Sequence, residues 1–292
     1  MSFCANLWKP CLQLGMLMKD VVAFLPSKIR KKYEKFLRKR MDVRIPGYLG
    51  LSPRTELSDQ DVFIVGYPKS GNTWFQNIVS GLAFGVDPEL APDALIQENV
   101  PDLHRKKFYK RIREQMFFKS HHLPRPEYRK VIYLLRDGRD VMVSYYHYNK
   151  AIYGDSANMD LMIETGQFLF PCPWHEHVRQ WRQNAHGADM ITVKYEHLLH
   201  DPLPELEKVC RFVGLERTPA ALRTVYEKCS FTTLRRKEQA AGLDDPSWPR
   251  DRAFFRRGKQ GSYKEEMSSQ SLQKFLTVAG KTLRQCGYRD EA

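Results

Sequence analysis

Residues 61–79 read DVFIVGYPKSGNTWFQNIV. One acidic residue leads into four apolar residues among the next five; a turn rich in Gly, Pro and Ser follows, then apolar residues at helical spacing. This is the pattern of a buried strand, a tight loop and the start of a helix. Proteins hold phosphate with that arrangement, because unpaired N–H groups and the dipole at a helix N-terminus favour an anion. The P-loop pattern G-x-x-x-x-G-K-[ST] is nevertheless not met. Gly66 and Gly71 have its spacing, but Asn72 stands at the lysine position, and the lysine lies inside the loop as Lys69.

Three further apolar runs, 115–121, 130–137 and 190–198, have strand character. Together with 61–67 they alternate with helical stretches near 72–84, 139–150, 175–185, 203–213 and 219–228. Such alternation predicts a single α/β domain, with a mainly parallel central sheet flanked by helices and a P-loop-like nucleotide-binding architecture. Ligands in these sheets sit beyond the carboxyl ends of the strands. Lys69, His121, Arg136 and Tyr195 fall at or just past such ends. Residues 235–262 are polar, basic and punctuated by Pro and Gly, which predicts a functional loop or lid, and a last helix is expected at about 268–286. The catalytic domain is expected over residues 51–290, after an N-terminal extension, 1–50.

The net charge of +13 over 292 residues points to an anionic partner: a nucleotide, an acidic substrate, a nucleic acid or a membrane surface. Six scattered cysteines with no C-x-x-C pair fit reduced thiols in a cytoplasm-like compartment. The apolar run 11–25 is interrupted by Lys19 and Asp20 and is too short to span a bilayer. It lacks the basic leader and small-residue cleavage site of a secretory signal, so neither a membrane span nor a cleaved signal is expected. Residues 27–44 carry nine Lys/Arg against two acidic residues. Ser27 can cap a helix there, with Ile29, Tyr33, Phe36, Leu37 and Met41 on one face. Two readings stay open: a helix packed on the domain with a solvated basic face, or a peripheral contact with anionic lipid.

Four motifs in order, YPKSGNTW, KSHHLP, RDGRDVMVSYYHY and FFRRGKQGSYK, resemble the sulfotransferase family that uses 3′-phosphoadenosine 5′-phosphosulfate, PAPS. The likeness is to its cytosolic-type branch and bacterial relatives, and it runs over roughly residues 55–288. It implies transfer of a sulfuryl group to a hydroxyl or amine acceptor without a metal ion. A nucleoside triphosphate concentrates charge on its terminal phosphates, and its sites normally add Mg²⁺. The sulfuryl group of PAPS carries a single charge, so a lysine inside the loop and backbone N–H groups can meet the charge on the leaving phosphate. That is the chemical sense of Lys69 at its unusual position.

The resemblance implies further roles. Ser70, Gly71, Asn72 and Thr73 would hold the 5′-phosphate and Trp74 the adenine; Arg136, Ser144, Arg256, Arg257 and Gly258 would hold the 3′-phosphate. Tyr195 and the Ser230-Phe231 pair would lie near the base and ribose. Structural alternatives remain for Trp74 as a core aromatic at a helix start, for Tyr195 as an ordinary strand aromatic, and for Arg136 as a partner of Asp137 or Asp140. In KSHHLP the resemblance implies a histidine general base, and the extra histidine leaves His121 and His122 as candidates. Adjacent side chains on an extended segment point to opposite sides, which puts Lys119 and His121 on one face. His121 is therefore the expected base, with a pKa near the working pH. Lys119 would steady the sulfuryl oxygens.

Two departures stand out. GSYK replaces the usual Gly-Asp-Trp-Lys, and the dimer motif of cytosolic members keeps only its lysine, Lys264, with Ser268, Ser269 and Gln273 in place of the rest. The oligomeric state thus stays open. A small-molecule P-loop kinase is disfavoured by the missing Gly-Lys-[ST] triplet and by the lack of a strand-end Asp for Mg²⁺. An inactive scaffold binding anionic lipid or nucleic acid would suit the charge but would not need Lys69, Lys119, His121 and Arg136 together. The expected protein is a cytoplasmic enzyme, with peripheral membrane contact left open and no nucleic-acid partner. Its acceptor is a small molecule or lipid, held by the stretches 85–113, 151–174 and 235–253.

Overall fold

The computed structural model of the chain describes residues 47–243, 248–249 and 251–289. The basic segment 27–44, Cys4 and Cys11 lie outside the described residues. The chain divides into two units, Met1–Pro53 and Arg54–Ala292, and the second carries every element discussed below.

Strand β1, Val62–Gly66, is buried at every position. Its alternate side chains serve both faces: Phe63 and Val65 enter one apolar cluster, Val62 and Ile64 another. A strand covered on both sides has to be apolar throughout, which is why its sequence shows no alternation. Strand β2, Phe117–Ser120, pairs with one edge of β1 and β3, Lys130–Leu135, with the other; β4, Asp189–Lys194, pairs with β3. All three pairings are parallel, giving the order β2-β1-β3-β4. Ile64 stands opposite both Lys119 and Ile132, and Ile132 opposite Ile191. The strands therefore end together, at Gly66, Ser120, Leu135 and Lys194.

Helices cover both faces. On the Phe63 side lie α3 (Gly138–Tyr153), α4 (Met159–Thr165), α5 (Trp174–Gln183) and α11 (Ser269–Gln285), through residues such as Val141, Met162, Trp181 and Phe275. On the Ile64 side lie α1 (Asn72–Phe84), α7 (Pro202–Val213) and α8 (Pro219–Lys228), through Phe75, Leu206 and Leu222. Short helices α2 (Asp93–Asn99), α6 (Tyr195–His200) and α10 (Tyr263–Glu266), with α9 (Phe231–Ala241), complete the set.

Two expectations need correction. The run 190–198 is not one strand: it ends at Lys194, and Tyr195 opens helix α6. The stretch 235–262 is not loop throughout. Its first residues belong to α9, where the Ser230 side chain accepts the Thr233 N–H as an N-cap and strong helix formers continue until Gly242. Helices α2 and α4, seven residues each, were too short to show a period. No helix among the described residues is long and apolar enough to cross a membrane. Cys172, Cys210, Cys229 and Cys286 are free thiols.

The start of α3 is wedged between α5 and α11. A Cβ on Gly138 would lie 2.6 Å from the Trp174 ring and 2.8 Å from Phe275 Cζ. Over-packing of this kind costs ~1–3 kcal/mol. Gly138→Ala is expected to lose that much stability in urea denaturation, and an unchanged midpoint would show that the two aromatics yield freely.

Candidate active site

The loop after β1 is shaped by its own polar groups. Asn72 Nδ2 donates to the Tyr67 carbonyl at 2.9 Å, and the Ser70 N–H donates to the same oxygen at 3.1 Å. Lys69 and Gly71 both adopt the left-handed region, with φ of 73° and 93°. For a lysine this conformation costs of order 1–3 kcal/mol, a strain found mostly at functional sites. At Gly71 a side chain is excluded outright, since a Cβ would lie 2.8 Å from the Tyr195 ring. Helix α1 begins at the next residue with no side-chain cap, and its first intrahelical bond runs from Phe75 N–H to Gly71 O. The N–H groups of Asn72, Thr73 and Trp74 are left without helical acceptors.

The Lys69 ammonium sits between two rings, 4.0 Å from the Phe254 centroid and 4.6 Å from that of Tyr148. Burial, followed by the charges of Lys119 and Arg136, pushes its pKa down to about 7. Both effects disfavour the charged form.

At the end of β2 the alternation expected of an extended segment is realised. Lys119 and His121 line the cavity above the sheet, and His122 does not. His122 is turned away, its Nδ1 within hydrogen-bond reach of Ser120 Oγ (3.1 Å) and Tyr128 Oη (3.0 Å). His121 Nδ1 donates to the Gly66 carbonyl at 2.7 Å, which leaves Nε2 as the lone-pair nitrogen. Its backbone N–H donates to His104 Nε2 at 2.9 Å. The His121 pKa does not lie near neutrality as expected: burial first, then Lys119, push it down to about 3. Lys119 is not a bare cation either. Its Nζ lies 2.9 Å from Asp102 Oδ2 and donates to Thr73 Oγ1 at 3.2 Å.

Past β3, Arg136 makes no bond to Asp137 or Asp140. Asp137 pairs with Arg139, and Asp140 accepts the Gly261 and Tyr263 N–H groups. The Arg136 guanidinium instead donates to the carbonyls of Lys69 (3.0 Å) and Lys259 (3.1 Å), lies 4.2 Å from the Tyr195 ring centroid, and keeps a buried Nε without a partner. Tyr195 is thus a platform at a helix start rather than a strand aromatic. Trp74 donates its Nε1–H to Cys229 O at 2.9 Å and meets Tyr195 edge-on.

Most of these groups share one cavity of about 690 Å³. Lys69, Gly71, Asn72, Thr73, Trp74, Lys119, His121, Arg136, Ser144, Tyr195, Ser230, Arg256, Arg257 and Gly258 all line it. Ser70 does not: its N–H is bound within the loop and its Oγ is buried without a partner. Three others are already engaged. The Ser230 hydroxyl caps α9, Arg256 is bidentate on Glu266 at 2.7 and 2.9 Å, and Arg257 pairs with Glu265 at 2.7 Å. Gly258 has φ 63°, and a Cβ there would lie 2.5 Å from Phe231.

Of the stretches expected to hold the acceptor, 85–113 contributes Asp102, His104 and Arg105, and 151–174 contributes Tyr153, Phe168 and Phe170. No described residue of 235–253 lines the cavity; Phe254 and Phe255, just beyond it, do. Tyr145 and Tyr148 lie within the RDGRDVMVSYYHY motif and Asp102 and His104 within 85–113, but none of them, nor Asn149, was singled out in the sequence.

Residues 59–287 match the model of the sulfotransferase domain family. The chain belongs to this family. It is an enzyme of the PAPS-dependent sulfotransferase class. Flavonol 3-sulfotransferase of Flaveria bidentis is 27% identical, over 78% of this chain and 83% of its own. The 3-beta-hydroxysteroid sulfotransferase of Cavia porcellus is 26% identical, over 87% and 88%. Retinol dehydratase, solved with androsterone and the inactive cofactor PAP, superposes with a TM-score of 0.62 at 20% identity, over 80% of this chain and 83% of that one. A mouse sulfotransferase solved with PAP gives 0.57 at 18% identity, over 78% and 85%. These two likenesses establish the fold.

The Lys69 amine should be half neutral near pH 7, where an ordinary lysine, with a pKa of about 10.4, is fully charged. Brief acylation at pH 7.5 followed by peptide mapping is expected to label Lys69 ahead of exposed lysines. Labelling of exposed lysines with Lys69 spared would count against an amine that is both neutral and within reach of the reagent.

Proposed function

We propose that the cavity transfers a sulfuryl group from PAPS to a hydroxyl acceptor, with His121 as general base. The observation that carries this reading is the His121 tautomer. With Nδ1 donating to Gly66 O, Nε2 is the proton-accepting atom, and the residue shares the cavity with Lys69 and Lys119. A low pKa keeps the ring neutral throughout the neutral pH range but makes it a weak base; the negative charge of the donor beside it would favour the protonated form and raise its basicity.

The residues present fit the donor. The Asn72–Trp74 N–H groups and the Thr73 hydroxyl suit its 5′-phosphate. For the 3′-phosphate the fitting groups are Arg136, with its orphaned Nε and no carboxylate bonded to it, together with Ser144, Arg257 and Gly258. Charge-assisted contacts of this kind contribute ~1.5–3 kcal/mol each, enough to tell PAPS from a nucleotide without the 3′ group. Trp74 and Tyr195 offer faces for the adenine. When bound, PAPS supplies a sulfuryl group on a phosphosulfate bridge. Lys69 stabilises the charge that collects on the phosphate side, Lys119 the sulfuryl oxygens, and His121 Nε2 takes the acceptor's proton. This division of labour calls on fixed protein cations in place of a metal ion.

The acceptor side of the cavity is walled by Tyr145, Tyr148, Tyr153, Phe168 and Phe170. Such a wall favours a hydroxyl carried on a flat, apolar body over a sugar. The enzyme is read as cytoplasmic. Contact of residues 27–44 with anionic lipid remains a separate reading, and deletion of 1–44 with no change in vesicle association would sink it.

Adenosine 3′,5′-bisphosphate is the product left after transfer. At a hundred times its dissociation constant it should stabilise the protein by ~2.7 kcal/mol in a thermal scan, with little effect from 5′-AMP or Mg·ATP. Arg136→Ala should remove most of that shift. His121→Ala should keep it and slow transfer by ~10²–10⁴, the usual contribution of a general base. A larger shift with Mg·ATP would contradict the reading.

A further inference from the structure

The segment Pro101–His104 faces the site without belonging to any motif. It runs beside β2 as a short parallel extension of the sheet: Lys119 N–H donates to Pro101 O at 2.9 Å and Leu103 N–H to Lys119 O at 3.0 Å, with Asp102 bridged to Lys119. This pairing carries a carboxylate into the active site. Asp102 is 2% exposed and lines the cavity; its Oδ2 lies 2.9 Å from Lys119 Nζ, and its Oδ1 accepts the His104 N–H at 2.8 Å. Burial alone would raise its pKa, but the Lys119 charge holds it well below the usual carboxylate range. Asp102 is therefore an anion.

An ammonium has three protons to donate. At Lys119 one is directed to Asp102 and one to Thr73 Oγ1, and the third is left for the cavity. A buried ion pair is a poor way to gain stability, because desolvating two charges offsets their attraction and an apolar pair of similar size does as well. The pair is better explained by what it does at the site. It fixes the direction of the remaining N–H by tying one lysine to two elements, the 101–104 segment and the start of α1. It also places a negative charge beside a cavity that already holds Lys69 and Arg136. At His121 that charge and the Gly66 carbonyl work against the effects of Lys119 and His104, which push the other way.

We infer that Asp102 is a positioning residue for sulfuryl transfer, acting through Lys119: it holds the Lys119 ammonium at the angle from which its free N–H meets the transferring group. This rests on the reading given under Proposed function. It separates two kinds of effect. Asp102 should matter to the rate and not to the binding of the bisphosphate, and its whole effect should pass through Lys119.

An acceptor-independent probe is the release of sulfate from sulfur-labelled PAPS to water. There the water oxygen bonds to sulfur, the bridging sulfur–oxygen bond breaks, and the water's proton goes to His121 Nε2; the products are sulfate and the bisphosphate. The full chain, Asp102→Asn, Lys119→Gln and the double variant would be compared in single-turnover rate and, by calorimetry, in bisphosphate affinity. Asp102→Asn should slow release by about tenfold or more while affinity stays within about threefold. The double variant should be no slower than Lys119→Gln alone, the signature of two residues acting as a unit. A wild-type rate in Asp102→Asn, a parallel loss of affinity, or a double variant as slow as the product of the single effects would overturn the inference. A wild-type chain that fails to bind the bisphosphate would overturn the preceding reading and this one with it; one that binds it and releases no sulfate would overturn this inference and leave the preceding reading standing. Variants that do not fold would be replaced by Asp102→Glu, which should keep the charge yet still lose rate because the ammonium is displaced.

Discussion

The pairing of one five-residue strand, Val62–Gly66, with a parallel neighbour on each side is the constraint on which the rest depends. A central strand has to satisfy its backbone donors and acceptors in both directions, and a parallel pairing makes its neighbours run the same way. The three strands end level at Gly66, Ser120 and Leu135, and β4 ends beside them at Lys194. Every segment leaving the sheet at that edge then opens over the same space. Lys69, His121, Arg136 and Tyr195 are far apart in the chain and meet there for that reason alone.

That space collects positive charge, and its cations are held in different ways. Lys119 faces a carboxylate, Asp102. Lys69 and Arg136 lie against aromatic faces, those of Phe254, Tyr148 and Tyr195. A ring attracts a cation by ~0.5–2 kcal/mol, less than a charged partner would in the same place. It orients the charge without neutralising it, so an entering phosphate finds Arg136 still uncompensated, and at Lys69 the phosphate favours the charged form of an amine that burial leaves half neutral near pH 7. Arg256 and Arg257 present the other case. Their carboxylate partners, Glu266 and Glu265, have to be exchanged or shared when an anion arrives. The cavity thus contains cations ready for a ligand beside cations that are already paired.

The core of this arrangement was legible in the chain because it is written locally. Apolar runs bounded by turn residues marked the four strands, and the unusual place of Lys69 marked the loop. The choice of His121 over His122 followed from the two-residue period of extended backbone, and the structure puts only the former on the cavity. Where the local signal was mixed the reading slipped. The apolar run 190–198 continued past the true strand end, because Tyr195 and Leu198 are apolar in helix and strand alike. The helix at 231–241 was hidden by its charges, since only Leu234 among its residues is buried.

The amino-acid sequence by itself determined the four strands, the longer helices that alternate with them, the parallel sheet and the place of Lys69, His121 and Arg136 at its strand ends. These depend on spacing along the chain, and spacing is what backbone hydrogen bonding and burial read. Only the tertiary structure decided what each of those residues touches. Asp102 reaches Lys119 across seventeen positions through an isolated bridge, Phe254 covers Lys69 from the far end of the chain, and Ser70 turns its N–H inward. The low pKa values of His121 and Lys69 likewise follow from burial first, and for Lys69 from the charges of Lys119 and Arg136, which arrive from other strand ends. Side-chain partners are set by register and by how loops fold over the sheet edge, and no period in the sequence encodes either.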